Sequence, residues 1–178
     1  MSGIHLNTRI NHYRKDKNED TFRYEAIFEN SGCFIYFKDK APKLMSAEQN
    51  VQINSQESVL LKCGIHFLDL LKKTGDNEVE AVIVHLYPDI LKKIYSKDLP
   101  KIIEKETFNT QNEVVVSQEV ISKFIESLEF YFLNPKLIND DLLELKIKEL
   151  ILLLIQSNNV SSIQELISNL YSSRDVKI

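Results

Sequence analysis

The hydrophobic residues follow two different patterns along the chain, and the pattern changes near residue 97. Before this position they form short apolar runs separated by turn-forming residues, which indicates β-strands. After it they recur every three or four positions, which indicates helices that bury one face. Strands followed by helices predict an α+β fold with two subregions, residues 1–97 and residues 98–172.

Five apolar runs in the first subregion have the length and composition of strands. Residues 22–28 and 33–37 flank a short segment with Asn and Gly, which predicts a β-hairpin. Residues 58–63 predict a third strand, and the β-branched run at 79–87 predicts another that ends at a proline. Residues 65–73 fit a helix or a strand, and the hairpin-like loop after them favours a strand. Strands at this short spacing predict an antiparallel sandwich or barrel.

The second subregion has the periodicity of helices. A short helix is predicted at residues 89–96, and a longer one at 117–133 precedes a proline. Asn139 or Asp140 can cap a further helix that runs to about residue 156. A capping box at Ser162 predicts one more short helix. The apolar stripe of the 117–133 helix consists of Ile121, Phe124, Ile125, Leu128 and Phe132.

The helix after Asn139 carries apolar residues at i, i+4, i+7 and i+11, a seam like that of a coiled coil. Such a seam is buried either by its own chain or by a second copy of the chain, and both alternatives stay open here. The predicted dimerisation residues are Leu143, Ile147, Leu150 and Leu154.

Composition and charge exclude several classes of protein. The chain has 178 residues, 43% of them hydrophobic, so it is long enough to bury a core. Its formal net charge is −4, and its acidic excess lies in residues 98–178. Because DNA affinity rests on phosphate neutralisation and bidentate arginines, a chain with four arginines is a poor nucleic-acid binder on its own. No apolar run has the length of about 20 residues that a membrane span needs, and no secretory signal is present, so we expect a cytoplasmic protein without membrane contact.

The cysteines and histidines offer little catalytic chemistry. Cys33 and Cys63 lack the CxxC spacing of zinc sites. Their low number fits a reducing compartment, and we expect both to be small buried side chains. His66 and His85 lie on neighbouring predicted strands, but a metal ion would need a third ligand, for which Asp69 or Glu80 is the nearest candidate. We therefore expect no metal, no cofactor and no catalytic residue. A metal-dependent enzyme that uses both histidines is the alternative.

Aromatic residues alternate along the predicted strands, so several of them are expected to share the interior face of a barrel. Small barrels often keep a cavity, and this face is therefore the candidate binding site for a small ligand. The candidate ligand-binding residues are Tyr24, Phe34, Tyr36, His66, Phe67 and His85.

The order of the segments is similar to that of a known family. It comprises TFRYEAIFENSGCFIYF, VQINSQESVLLKCGIHFLDLL, EAVIVHLYPDILKKIY, LLELKIKELILLLIQ and VSSIQELISNLY. Together these stretches resemble the amino-terminal regulatory domain of AraC-family bacterial transcription activators, above all the subgroup around ExsA, the activator of type III secretion genes. The most specific match is LKIKEL at residues 145–150. The chain departs from the family at Ser55-Gln56, where the family usually has Pro-Gly.

The resemblance implies a cupin-like β-barrel followed by helices that dimerise. It also implies a carboxyl-terminal domain with two helix-turn-helix motifs, which would begin after Tyr171, and residues 173–178 form only a polar stub toward it. The chain lacks the His-x-His…Glu…His set of metal-dependent cupins, so the resemblance implies a regulatory barrel.

The resulting hypothesis is the effector-sensing and dimerisation domain of an AraC-type activator that lacks its DNA-binding domain and is not an enzyme. The expected partners are a second copy of the chain and an unknown effector, either a small molecule or a regulatory protein. DNA is expected to be bound only through the absent carboxyl-terminal domain. The alternatives are a stand-alone metal-dependent cupin enzyme and a protein–protein interaction module without a DNA partner.

Overall fold

A computed structural model of the chain describes residues 4–7, 10–15, 31–38, 53–62, 79–95, 113–116, 119–156, 164–165 and 167–168. Its strands are Ile4–Asn7 (β1), Ile10–Lys15 (β2), Gly32–Phe37 (β3), Ser58–Lys62 (β4), Val79–Leu86 (β5) and Glu113–Val116 (β6). Its helices are Pro88–Ile94 (α1), Glu119–Leu133 (α2) and Asp140–Leu154 (α3), with a 3₁₀ turn at Pro135–Leu137 between α2 and α3.

The strands form one antiparallel sheet in the order β1-β2-β5-β3-β4-β6. Together with the helices this confirms the predicted α+β fold. Within the described strands, β1 and β6 lie at the two edges of the sheet and do not pair with each other. The described sheet is therefore open, and a cupin barrel is not shown.

The strand predictions are confirmed for β3, β4 and β5. The other strand of the predicted hairpin, at residues 22–28, and the ambiguous segment at 65–73 lie outside the described residues. Three strands were not predicted: β1 and β2 have few apolar residues, and β6 is only four residues long. The positions of β1 and β2 follow from backbone pairing with a neighbour, which a search for apolar runs does not detect. In contrast, β6 contains three consecutive valines, a strand signal that the helical interpretation of residues 98–172 did not use.

The pairing register assigns side chains to the two faces of the sheet, because successive residues of a strand point to opposite sides. Phe34 lies opposite Val84 on β5 and Leu60 on β4, and all three belong to the main hydrophobic core with the helices. Cys33 lies opposite His85 on the second face, and both are buried as well. All six residues of β3 are buried, so the centre of the sheet is shielded from solvent on both faces.

The helix predictions are confirmed closely. The buried residues of α2 are the five of the predicted stripe. Of the two predicted caps of α3, Asn139 is the N-cap, and its Oδ1 accepts a 2.9 Å hydrogen bond from the backbone N–H of Leu142. Pro88 begins α1, where the N–H that proline lacks would be unpaired in any residue. The predicted helix at Ser162 lies mostly outside the described residues, and its described part, residues 164–165 and 167–168, is helical.

Both predicted subregions contribute to one core. The core cluster contains residues of β3, β4 and β5 together with residues of α1, α2 and α3. The prediction that the chain is helical after residue 97 is wrong at β6, which pairs with β4. Among the described residues, the three longest helical segments after residue 97 follow β6, so the sheet still receives one strand from the second subregion. Residues 173–178 lie outside the described part.

Candidate functional site

A cleft of about 700 Å³ lies between α2 and the segment that leads into β4. One wall is a polar stripe of α2, whose members recur at helical spacing beside the buried stripe. The other wall is formed by the end of β3 and the turn before β4. The lining residues are Tyr36, Lys38, Ser55, Gln56, Glu57, Glu119, Ser122, Lys123, Ile125, Glu126 and Glu129.

The Tyr36 hydroxyl joins the two walls of the cleft. The side chain is only 5% exposed, and its hydroxyl donates a 3.1 Å hydrogen bond to Ser122 Oγ on α2. Tyr36 lies on the helix-facing side of β3, opposite Val82. A buried phenol normally finds a polar partner for its hydroxyl, and here that partner lies on α2, so the hydrogen bond connects β3 to α2.

Lys38 forms a second link across the same cleft. Its ammonium lies 3.0 Å from Glu80 Oε1 on β5 and 2.6 Å from Glu129 Oε1 on α2. Burial favours the neutral amine and alone would lower the pKa of Lys38. The hydrogen bonds to Glu129 and Glu80 outweigh this effect, and the pKa of Lys38 is raised. The charged Lys38 side chain therefore connects the sheet to α2 through its two ion pairs.

The turn at the mouth of the cleft has a residue in the left-handed region. The Glu57 N–H donates to the Asn54 carbonyl over 3.1 Å, and Gln56 has φ 63°. This arrangement puts Gln56 where a type II turn prefers glycine, which is also the position where the family usually has glycine. The Glu57 carboxylate accepts from the Asn54 N–H and from its side-chain amide, at 2.7 and 3.1 Å, and thereby holds the turn together.

The predicted ligand-binding residues do not share one face. Phe34 and Tyr36 point toward the helices, whereas His85 lies on the opposite face of the sheet. The physical reason is the two-residue repeat of a strand: Phe34 is opposite Val84, so the neighbouring His85 points the other way. Tyr24, His66 and Phe67 lie outside the described residues. Ligand binding by this group stays a prediction, but only Tyr36 of the described members lines the cleft.

His85 and Cys33 form a buried pair on the second face of the sheet. His85 Nδ1 lies 3.4 Å from Cys33 Sγ. Cys33 is fully buried, as predicted, but it is disulfide-bonded, so the expectation of a simple thiol is wrong. A disulfide sulfur has no proton, so the contact is a donation from Nδ1–H to the sulfur. Burial lowers the pKa of His85 to about 4, which keeps the ring neutral at pH 7.

The predicted dimerisation residues face the core of their own chain. Leu143, Ile147, Leu150 and Leu154 are each at most 1% exposed. The intrachain alternative therefore describes their surroundings, because α3 packs this side onto α2 and the sheet. Dimerisation stays a prediction, and these four side chains do not form an exposed surface for it.

The opposite side of α3 presents apolar residues that the sequence analysis did not single out for dimerisation. Leu145 is 62% exposed and Leu152 is 40% exposed. A spacing of seven residues puts both on one side of a helix, about 10 Å apart along its axis. Lys148 and Glu149 lie between them on the same helix. A sequence signal exists, since Leu145 and Leu152 repeat at a heptad interval outside the main seam.

Comparison with known proteins identifies the family. The sequence profile of the ExsA N-terminal regulatory domain matches residues 33–166, which is most of the chain. The chain therefore belongs to this family, and the resemblance to the ExsA subgroup of activators is confirmed. It is a regulatory domain of the ExsA type. No curated protein matches the chain.

Two further observations concern only the part of the chain that the structure describes. None of the described helices is long and apolar enough to cross a membrane. In the same residues, no cluster of three or more His, Cys, Asp or Glu side chains is placed to hold a metal ion. Of the two candidate third ligands of a histidine site, Glu80 pairs with Lys38, and Asp69 lies outside the described residues.

Proposed function

We propose that this chain is the effector-sensing and dimerisation domain of an AraC-type transcription activator. Membership of the ExsA regulatory domain family is the observation that carries the proposal. In this proposal the domain is a cytoplasmic regulator and not an enzyme, and DNA is contacted by a separate carboxyl-terminal domain. The signal is a small molecule or a regulatory protein that binds one of two conformations more tightly and so shifts their populations.

We also propose that the described sheet is part of a cupin-like barrel. The antiparallel order of six strands and the burial of β3 on both faces support this proposal. An experimental structure in which β1 or β6 forms a solvent-exposed open edge would contradict it.

Dimerisation is proposed through the outward side of α3, which we call the α3 outer face and define by Leu145, Lys148, Glu149 and Leu152. A two-fold axis between residues 148 and 149 would bring Leu145 of one copy to Leu152 of the other. The same axis would bring Lys148 of one copy to Glu149 of the other, so the face is complementary to itself in both apolarity and charge. Such self-complementarity is what a two-fold interface requires. Within one copy Glu149 also pairs with Lys146, and Lys148 lies over the ring of Tyr95, so these two charges would be shared between the chain and its partner.

Sedimentation equilibrium tests the dimer. We expect the wild-type chain to dimerise and Leu145→Glu or Leu152→Glu to weaken the dimer at least about tenfold, because each puts two carboxylates into an apolar contact. Circular dichroism should show folded protein for both variants. Leu150→Glu should instead unfold the chain, because it places a charge at a position with no exposure.

Leu137→Glu is the matched control. Leu137 is exposed like Leu145, but it lies in the 3₁₀ turn before α3 and not on the α3 outer face. The Leu137→Glu variant should dimerise as strongly as the wild type. A wild-type chain that stays monomeric at high concentration would contradict dimerisation. If Leu137→Glu weakened the dimer as much as Leu145→Glu, the dimer contact would not be the α3 outer face.

A further inference from the structure

We propose that the cleft between α2 and the Asn54–Glu57 turn binds a small organic cation with two amino groups. This inference rests on the proposed sensing function, because it gives the signal a place and a chemical class. The place differs from the predicted barrel interior, since the cleft lies on the helix side of the sheet.

The size of the cleft fits a small molecule. Its volume of about 700 Å³ falls within the range of about 300–1,000 Å³ typical of small-molecule sites. It lies between two secondary-structure layers and not on a convex surface. Ile125 gives it an apolar element, and Tyr36 and Ser122 supply hydroxyl groups at its base. Apolar surface and a few polar groups together are what a short carbon chain with polar ends requires.

The charge of the lining favours a cation. Four glutamates and two lysines line the cleft, so the lining residues carry a formal charge of −2. Lys38 pairs with Glu129, and Lys123 pairs with Glu126. Glu119 forms no hydrogen bond or ion pair with another described residue, and its charge contributes less than Glu126 to raising the pKa of Lys123. The two negative charges that remain after these two pairs are counted belong to Glu57 on one wall and Glu119 on the other.

The chain itself provides a precedent for an amino group in this place. The Lys38 ammonium lies between two carboxylates of different elements, Glu80 and Glu129, with its side chain only 19% exposed. One end of the cleft thus already binds an alkylammonium between the sheet and α2. A ligand with two amino groups would place one ammonium at Glu57 on the turn and the other at Glu119 on α2, so that it too connects the sheet layer to α2.

Occupancy would link the turn to α2. The turn belongs to the sheet layer, since the Gln56 N–H donates to the Phe37 carbonyl at the end of β3. Helix α2 packs against α3, where Lys146 donates to Ser127 of α2 over 3.1 Å. A ligand between the walls would therefore favour one position of α2 and, through it, of the α3 outer face.

Isothermal titration calorimetry on the 178-residue chain, with cadaverine and glutarate as probes, tests the proposal. Both probes have five carbons, and they carry opposite charges. We expect cadaverine to bind and glutarate to bind at least about tenfold more weakly. Glu57→Gln and Glu119→Gln should each weaken the binding of cadaverine by about two- to fivefold, the effect expected when one solvent-screened ion pair is removed.

Asp141→Asn is the matched control, because it removes one exposed negative charge on α3 outside the cleft. It should leave the affinity for cadaverine unchanged. If Glu57→Gln lowers the melting temperature by loosening the turn, Glu119→Gln alone decides the outcome. The proposal is overturned if cadaverine does not bind, if glutarate binds equally well, or if Asp141→Asn weakens binding as much as Glu119→Gln.

The result separates this inference from the proposed function. Cadaverine binding is measured by heat, whereas dimerisation is measured by sedimentation. A chain that dimerises and does not bind cadaverine contradicts only the ligand proposal. A chain that binds cadaverine and stays monomeric under all conditions contradicts the dimerisation part of the proposed function.

Discussion

Gln56 illustrates how a single residue can carry backbone strain. Its φ of 63° lies in the left-handed region, which costs a residue with a side chain about 1–2 kcal/mol. The neighbouring interactions hold it there: Glu57 accepts two hydrogen bonds from Asn54, and the Gln56 N–H donates to Phe37. Because the turn forms the mouth of the cleft, its strain lies beside the proposed binding site.

Gln56→Gly should therefore stabilise the chain. Glycine adopts this φ without a steric cost, although it also loses more conformational entropy on folding. The net gain expected in the free energy of unfolding is about 0.5–1 kcal/mol, measured by urea denaturation. Gln56→Ala keeps a Cβ atom and should leave stability nearly unchanged. A loss of stability in Gln56→Gly would show that the backbone at Gln56 is not strained.

His85 makes stability depend on pH. Its pKa is lowered by burial to about 4 in the folded chain and is about 6.5 when unfolded. Between these values the unfolded chain binds a proton that the folded chain does not bind. The full contribution, about 3 kcal/mol, is therefore present above pH 6.5 and is lost progressively as the pH falls toward 4.

Urea denaturation at pH 7 and at pH 5 measures this loss. The wild type should lose stability on acidification, and His85→Leu should lose clearly less, because its side chain binds no proton in either state. The comparison uses the pH dependence of each protein, so it holds even if His85→Leu is less stable at both pH values. Equal pH dependence in the two proteins would show that His85 is not responsible.

Helices α2 and α3 form a unit whose contacts combine apolar and charged groups. Lys146 of α3 makes three of these contacts: it donates to Ser127 of α2 and lies 5.7 and 5.9 Å from the ring centres of Phe124 and Tyr131. Within α3 it also pairs with Glu149. Lys148 extends from the same helix over the ring of Tyr95, just after α1. The stretch LKIKEL, which carries the most specific resemblance to the family, is thus the stretch that joins α3 to the other helices.

The N-cap of α3 offers a test at this scale. Asn139→Ala removes the acceptor for the Leu142 N–H and should lower the free energy of unfolding by about 1 kcal/mol. Chemical denaturation measures the change. Asn139→Ser retains a capping oxygen and should keep nearly all of the stability. If Asn139→Ala were as stable as the wild type, another group would have to cap this helix.

At the scale of the whole molecule, one core joins the sheet and the helices. Because the core side of α3 packs on the same cluster as β3, β4 and β5, buried contacts connect the sheet with the helices. The cleft and the α3 outer face lie on different elements of this single unit. The predicted pair of outcomes for Leu150→Glu and Leu145→Glu, unfolding in one case and a weaker dimer in the other, follows from which side of α3 each residue occupies.

The sequence by itself determined the elements whose pattern is local. The stripe of α2 and the seam of α3 follow from the 3.6-residue period of a helix, and the cap of α3 follows from capping chemistry. Strands β3, β4 and β5 follow from continuous apolar runs. All of these signals involve only near neighbours. The order of these segments and the stretch LKIKEL also indicated the family from the sequence.

Only the tertiary structure decided how these elements meet. The short or polar strands β1, β2 and β6 exist because a neighbour pairs with them, and the pleat places His85 opposite to Phe34 and Tyr36. The cleft depends on Lys38, Glu80 and Glu129, which are far apart in sequence and come from three elements. Whether the seam of α3 faces its own core or a second copy is likewise undetermined by periodicity, because both surroundings bury the same stripe. Packing resolved it by covering Leu150 and leaving Leu145 and Leu152 exposed.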